Sequence, residues 1–324
     1  MAAPLFADYL VERRLLRRRL SFWRVAAFAI AALAILILGL RLFGAGEPLD
    51  FEPHIARLSI EGFISGDRET LKLISKIEKS NAAAVLVSID SPGGTTSGAE
   101  RLYDAIRRLS AKKPTVAVVG NLAASGGYIA ALGADQIVAQ GNSLVGSIGV
   151  LVEYPNFTKL LDTIGVTVED VKSAPLKASP NGFEPTTPEA RAALASLVND
   201  SFAWFKSLVK QRRDLTDPQL EAVDDGRVFT GRQGLDLHLV DRLGGEREAI
   251  AWLEQEKSVP KGLKVRDWEQ SRSLERLGIL NFAARGAQFL HLDGLSRLLE
   301  QGDQFTQGSA LDGLVSIWQI DSSK

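Results

Sequence analysis

The stretch NLAASGGYIAALGAD, residues 121–135, carries one hydroxyl, Ser125, among small apolar residues, with Ala123 and Ala124 before it and Gly126 and Gly127 after it. A serine hydroxyl becomes a useful nucleophile when a neighbouring base takes its proton. Small neighbours let a substrate backbone approach, and the following glycines leave backbone N–H groups free to face an oxyanion. The chemistry indicated is acyl transfer. The Gly126 N–H is the natural first oxyanion donor, and Gly93-Gly94 is the best source of a second. The alternative is a tight helix-packing segment whose serine merely caps a helix. A second glycine-bearing segment, Ser91-Pro92-Gly93-Gly94, at a matching strand end favours catalysis.

The base has few candidates. The three histidines are poorly placed: His54 in a linker, His238 between Leu237 and Leu239, and His291 in the tail. Each reads as packing or surface. That leaves a carboxylate or a lysine. VKSAPLKASPNGFEP, residues 171–185, offers Lys172 and Lys177 in a loop of otherwise sparse charge. A lysine acts as base only when neutral, and burial disfavours its ammonium form. The plainer reading of either residue is a solvated loop lysine.

Alternating strand-like and helix-like segments must position these groups. Residues 56–64 read as a strand and 69–79 as a helix with Leu71, Ile74 and Ile77 on one side. The continuous apolar run 84–89 reads as a strand buried on both faces. A helix over 97–109 and strands over 115–119 and 136–139 follow. This order predicts an α/β domain with parallel strands, whose chemistry gathers where strands end and helices begin. Residues 187–257 read as mostly helical, and one further strand-like stretch, LKVRDW, lies beyond Lys261.

The beginning of the chain has another character. Residues 11–24 hold six arginines and one acid, and an apolar run spans 25–43, broken only by Arg41. As a helix this run is about 28 Å long, close to the ~30 Å hydrocarbon core. Basic residues before it and acidic residues after it predict a cytoplasmic N-terminus, with the bulk of the chain on the other side. An uncleaved anchor is expected over a cleaved signal peptide, because the basic region is long for the latter. The expected organisation is a basic arm (1–24), an anchor (25–43), a linker (44–54), a catalytic domain (55–258) and a C-terminal extension (259–324). A net charge of −1 suggests no nucleic-acid partner, and the absence of cysteine excludes disulfides, thiolate metal sites and cysteine nucleophiles.

LVSIDSPGG, NLAASGGYIAALGAD, NSLVGSIGV, LKASPNGFEP and GRVFTGRQGLDLHLVDRLGG occur in the order found in the short form of the signal peptide peptidase A family, which the chain resembles over roughly residues 55–255. The resemblance implies a Clp protease/crotonase-like spiral of ββα units and a membrane-anchored serine peptidase with a Ser-Lys dyad and no cofactor. It implies Ser125 as nucleophile, Lys177 as general base, Ser147 as the residue orienting the lysine, and Gly94 and Gly126 as the oxyanion hole. Lys172 does not match the family's catalytic position. The implied substrates are signal-peptide remnants and other apolar peptides. The implied setting is the bacterial inner membrane, with the peptidase domain outside the cytoplasm. The implied assembly is a homo-oligomer whose adjacent subunits complete the dyad. The chain departs from the family pattern at His238, where glycine is common, at Ile129, where a second tyrosine is common, and at Ala174-Pro175. Rival readings are a crotonase-like acyl-CoA enzyme, a scaffold with a degenerate protease domain, and a site-specific protease of stomatin-directed type.

Overall fold

A computed structural model describes residues 23–31, 33, 52–269 and 315–317. The chain divides into two units, Met1–Phe51 and Glu52–Lys324. In the first, residues 23–31 are helical and expose Trp23, Val25, Phe28 and Ile30. Most of the expected anchor lies outside the described residues, as do the arm before residue 23 and most of the linker and tail. Among the described residues no helix is long and apolar enough to cross a membrane.

The second unit begins with β1 (His54–Ile64), α1 (Arg68–Lys79), β2 (Ala82–Thr95) and α2 (Thr96–Ser110). It continues through β3 (Thr115–Ala124), α3 (Gly126–Leu132), β4 (Gln136–Ala139), β5 (Leu144–Gly146) and α4 (Thr158–Ile164). Then come α5 (Pro188–Arg213), α6 (Asp217–Glu221), β6 (Val228–Thr230), α7 (Gly231–Asp236), β7 (Arg242–Leu243), α8 (Glu246–Glu256), β8 (Val265–Trp268) and β9 (Val315–Ile317). Helix starts follow ordinary capping chemistry: Asp67 accepts the Thr70 N–H at 2.8 Å, and Thr95 accepts the Gly98 N–H at 3.1 Å.

The main strand order is β6-β5-β3-β2-β1-β8. The run 84–89 explains why the sheet is covered twice. Val85, Val87 and Ile89 pack with α1, α2 and α3, whereas Ala84 and Leu86 pack with Ala249, Trp252 and Leu253 of α8. Alternate residues of a strand point to opposite faces, so an unbroken apolar strand needs both faces buried. Each fully buried leucine or isoleucine here contributes about 1.5–3 kcal/mol relative to exposure.

The sheet forks along β3. Val116–Val119 pair with β4, whereas Leu122–Ala124 pair with β5, both in parallel. The sheet is mixed, because β5–β6 and β2–β9 are antiparallel. Two expectations are corrected. Ser91-Pro92-Gly93-Gly94 is part of β2, with Gly93 and Gly94 paired to Phe63 and Ile64 of β1. His54 belongs to β1, fully buried and stacked on Trp268.

Candidate active site

β3 runs straight into the serine. Beyond Ala124 the backbone turns sharply at Ser125, with φ 54° and ψ −116°, and enters α3 at Gly126. Such a conformation costs a non-glycine residue about 1–3 kcal/mol and persists only where its surroundings hold it. Here the Ser125 N–H donates to the Gly146 carbonyl at 2.8 Å, and the Ser125 carbonyl accepts the Ile129 N–H at 3.0 Å. The side chain makes no capping hydrogen bond, which removes the helix-cap reading. Its Oγ lies 3.5 Å from the Gly149 carbonyl oxygen. The residue is 1% exposed. Ser125 is thus a buried serine on a strained strand-to-helix turn, its hydroxyl outside the helix cap.

Two close approaches fix the backbone around it. A Cβ on Gly127 would stand 2.6 Å from the Ser91 carbonyl oxygen, and one on Gly94 would stand 1.9 Å from the Ile64 carbonyl oxygen. The Ser91 hydroxyl, fully buried, donates to the Gly62 carbonyl at 2.6 Å and accepts the Gly93 N–H at 3.1 Å. The last β2–β3 pair, Ser91 with Ala123, therefore sets the Gly93-Gly94 segment beside the serine turn. Sequence reasoning missed Ser91 as the fastener, although it read the glycines. The first turn of α3 has no acidic residue, so nothing offsets the partial positive charge of its N-terminal N–H groups. Arg212 anchors its far end by donating to the Leu132 and Ala134 carbonyls, and the buried Tyr128 hydroxyl anchors its first turn by donating to the Leu239 carbonyl at 2.8 Å. Burial pushes the Tyr128 phenol well above its ordinary range, so it stays a donor.

Ser147 directly follows the residue whose carbonyl holds the Ser125 N–H. It is buried, has φ 52°, and donates its own N–H to the Arg227 carbonyl at 2.8 Å. The structure thus gathers Ser125, Gly126, Ser147 and the Gly93-Gly94 segment.

The lysines sit in the irregular segment between α4 and α5. Lys177 is exposed there, and its backbone N–H donates to the Ala174 carbonyl at 3.0 Å. Lys172 is committed elsewhere: its ammonium pairs with Glu184 at 2.6 Å and Asp170 at 3.0 Å. Those bonds, Glu184 first, hold its pKa above the usual lysine range, which disfavours the neutral form a base needs. The same Glu184 oxygen accepts from Ser179 at 3.2 Å and Asn181 at 3.3 Å. Glu184 therefore ties the chain on both sides of Lys177. Only its charge within a loop poor in carboxylates could have signalled this. The segment also leaves apolar side chains in solvent: Ile164 is 60% and Val171 fully exposed, and α4 buries no residue. Among the histidines, His54 accepts from Trp268 at 3.2 Å. His238 is exposed at φ 60°, so the turn usual with glycine is kept in the left-handed region. His291 lies outside the described residues.

These features set a strained, buried serine at a strand-to-helix junction of a mixed α/β sheet. Residues 107–260 match the sequence model of Peptidase family S49. A putative protease of Synechocystis is 40% identical over 200 residues, covering 61% of this chain and 72% of that protein. A putative protease of Methanocaldococcus jannaschii is 33% identical over 189 residues, covering 58% of this chain and 61% of its own length. The chloroplastic serine protease SPPA of Arabidopsis thaliana is 33% identical over 206 residues, 62% of this chain and 30% of that protein. The chain belongs to peptidase family S49, the family of the SppA proteases. It spans less than two thirds of the second and third of these relatives.

Proposed function

We propose that this chain is a membrane-anchored serine endopeptidase that uses a Ser125–Lys177 dyad to cleave apolar peptides, signal-peptide remnants among them. The Ser125 turn is the observation that carries this reading, because nothing in the packing of a purely structural segment calls for a strained serine whose hydroxyl caps nothing. Ser125 Oγ attacks the peptide carbonyl carbon while neutral Lys177 takes its proton. The Gly126 and Gly94 N–H groups receive the oxyanion. The C–N bond breaks as the Lys177 ammonium returns the proton to the departing amine. Water then hydrolyses the ester, with Lys177 again accepting a proton. Ser147 orients the lysine amine.

Lys177 reaches the serine from a neighbouring copy. The exposed apolar side chains of residues 151–183 support this, since contiguous apolar surface marks an interface. In such an assembly the lysine would leave water, and burial would favour its neutral form. The fork of the sheet along β3 agrees with a spiral of ββα units. The apolar run 25–43 supports a single-pass anchor in a bacterial inner membrane, with the peptidase domain on the extracytoplasmic side. The test is cleavage of an apolar peptide by the parent and by Ser125→Ala and Lys177→Ala. Both variants are expected to fold and to be inactive. Full activity in Ser125→Ala overturns the reading, and activity retained in Lys177→Ala but lost in Lys172→Ala overturns the base.

A further inference from the structure

One hydrogen-bonding edge of β1 is filled only in part. On its inner side β1 pairs with β2, from His54 opposite Ala82 to Ile64 opposite Gly94. On its outer side β8 pairs with Ile55–Leu58 and ends with Trp268 opposite Leu58. The Ile55 N–H donates to the Lys264 carbonyl at 3.0 Å, so odd-numbered residues of this strand turn their backbone groups outward. By the same period the N–H and C=O of Ser59 and Glu61 face the stretch beyond β8, where among the described residues no strand pairs with them. The Gly62 carbonyl agrees with this parity, since it turns inward and accepts the Ser91 hydroxyl of β2. A cavity of about 570 Å³ lies against the open edge, lined by it, by Trp268 and Glu269, and by α1.

The two faces of this edge differ in chemistry. Ile60 is buried with Leu73 and Leu102, and all three line the cavity. Ser59 and Glu61 alternate with it and are exposed on the opposite face. Glu61 stands directly opposite Asp90 in the β1–β2 register, so two carboxylates share that face, an unfavourable pairing that a neighbouring cation relieves. Glu61, Asp67 and Glu269 line the cavity, and among the described residues no lysine or arginine does. An unpaired strand edge takes an extended peptide through main-chain hydrogen bonds, and the surroundings of alternate side chains select its sequence. We propose that the outer edge of β1 over Ser59–Glu61 is a docking site for an extended peptide that alternates apolar and basic residues. Its apolar side chains lie toward Leu73 and Leu102, and its basic ones reach Glu61 and Glu269. The same edge of a second copy fits poorly, because it brings Glu61 against Glu61. The site is separate from Ser125 and does not rest on the catalytic reading.

The test is binding of a fluorescein-labelled octapeptide of alternating lysine and valine to the full chain carrying Ser125→Ala, so that the readout does not depend on turnover. The expected result is saturable binding, about tenfold or more tighter than that of an octapeptide of alternating glutamate and valine. Ser59→Pro removes one N–H that faces the open edge and none that pairs with β2, a place where an edge strand tolerates proline. It is expected to weaken binding of the lysine peptide about tenfold, with the urea midpoint unchanged. Equal affinity for the two peptides, or unchanged affinity in a folded Ser59→Pro variant, overturns the proposal.

Two further measurements cover misfolding of the proline variant. Glu61→Lys with Glu269→Lys changes only exposed side chains and is expected to reverse the preference, so that the glutamate peptide binds more tightly. An unreversed preference overturns the proposal. Two methylated versions of the lysine peptide keep its charges, one with methyl groups on the lysine backbone nitrogens and one with them on the valine backbone nitrogens. Only one set of these N–H groups points at β1, so one version is expected to lose binding and the other to keep it. Binding retained by both overturns strand addition. A chain that takes no peptide, yet self-associates in sedimentation velocity until Ser59→Pro is introduced, gives the edge to a second copy and also overturns the proposal.

Discussion

The Ser125 turn and the segment around Lys177 are built in opposite ways. Ser125 sits between two strands and a helix, 1% exposed, with its backbone held by Gly146 and Ile129 and its helix pinned by Tyr128 and Arg212. The Lys177 segment has one short helix that buries nothing, and its internal order comes from the ion pairs and hydrogen bonds that meet at Glu184. The first region can store backbone strain because close packing holds it. The second cannot, and its apolar side chains face solvent in a single copy. On the proposed reading the nucleophile half is complete in one chain, and the base half is completed by a neighbouring copy.

Mixing separates these halves most sharply. Ser125→Ala and Lys177→Ala are each expected to lose at least about 10³-fold in kcat/KM. Equal amounts of the two, unfolded and reassembled together, should regain about a quarter of parental activity if serine and lysine come from different copies, because that share of sites draws both intact residues. A site built within one chain would regain none, which a peptide-cleavage assay distinguishes.

Packing responses should differ next. Gly94→Ala puts a methyl against the Ile64 carbonyl and should destabilise the fold by roughly 3 kcal/mol. Val171→Ala should stay within about 0.5 kcal/mol. Urea unfolding monitored by circular dichroism measures both. Conversely, Ile164→Asp with Val171→Asp should leave the melting of the isolated domain unchanged yet weaken assembly about tenfold, read by sedimentation velocity over a dilution series.

The smallest effect concerns pH. A base that is a neutral amine, as proposed, predicts activity that rises into the alkaline range; a flat profile would count against a lysine base. Lys172 has its pKa raised, chiefly by Glu184. The sign follows: its ion pairs contribute fully below the ordinary lysine range and are lost only as pH climbs through the raised value. Glu184→Gln should therefore lower kcat about threefold at neutral and mildly alkaline pH, with the difference closing at the most alkaline end, where the parent also loses the pair.

Much of the nucleophile half was legible. The run 84–89 announced a strand buried on both faces, and the Ala-Ser-Gly-Gly pattern marked a strand-to-helix junction with room for a substrate. The glycines misled in one respect: Ser91-Pro92-Gly93-Gly94 was placed at a strand's end, yet pairing with β1 holds it within β2. Glycine lacks local preference for a strand, so only its long-range partner could reveal one. His54 was read into the linker that ends at residue 54, whereas it stacks on Trp268, far along the chain. Lys172 and Lys177 look alike in sequence. Glu184 separates them by committing the first.

The order and type of residues determined by themselves which strands are buried, where the chain must turn tightly, and that a lone serine sits at such a turn. Those properties depend on neighbours a few residues apart. Tertiary structure decided that this serine caps nothing, that Lys172 is held charged, and that residues 315–317 lie against Gly93–Thr95. These depend on groups brought together from distant positions, and local sequence carries no record of such meetings.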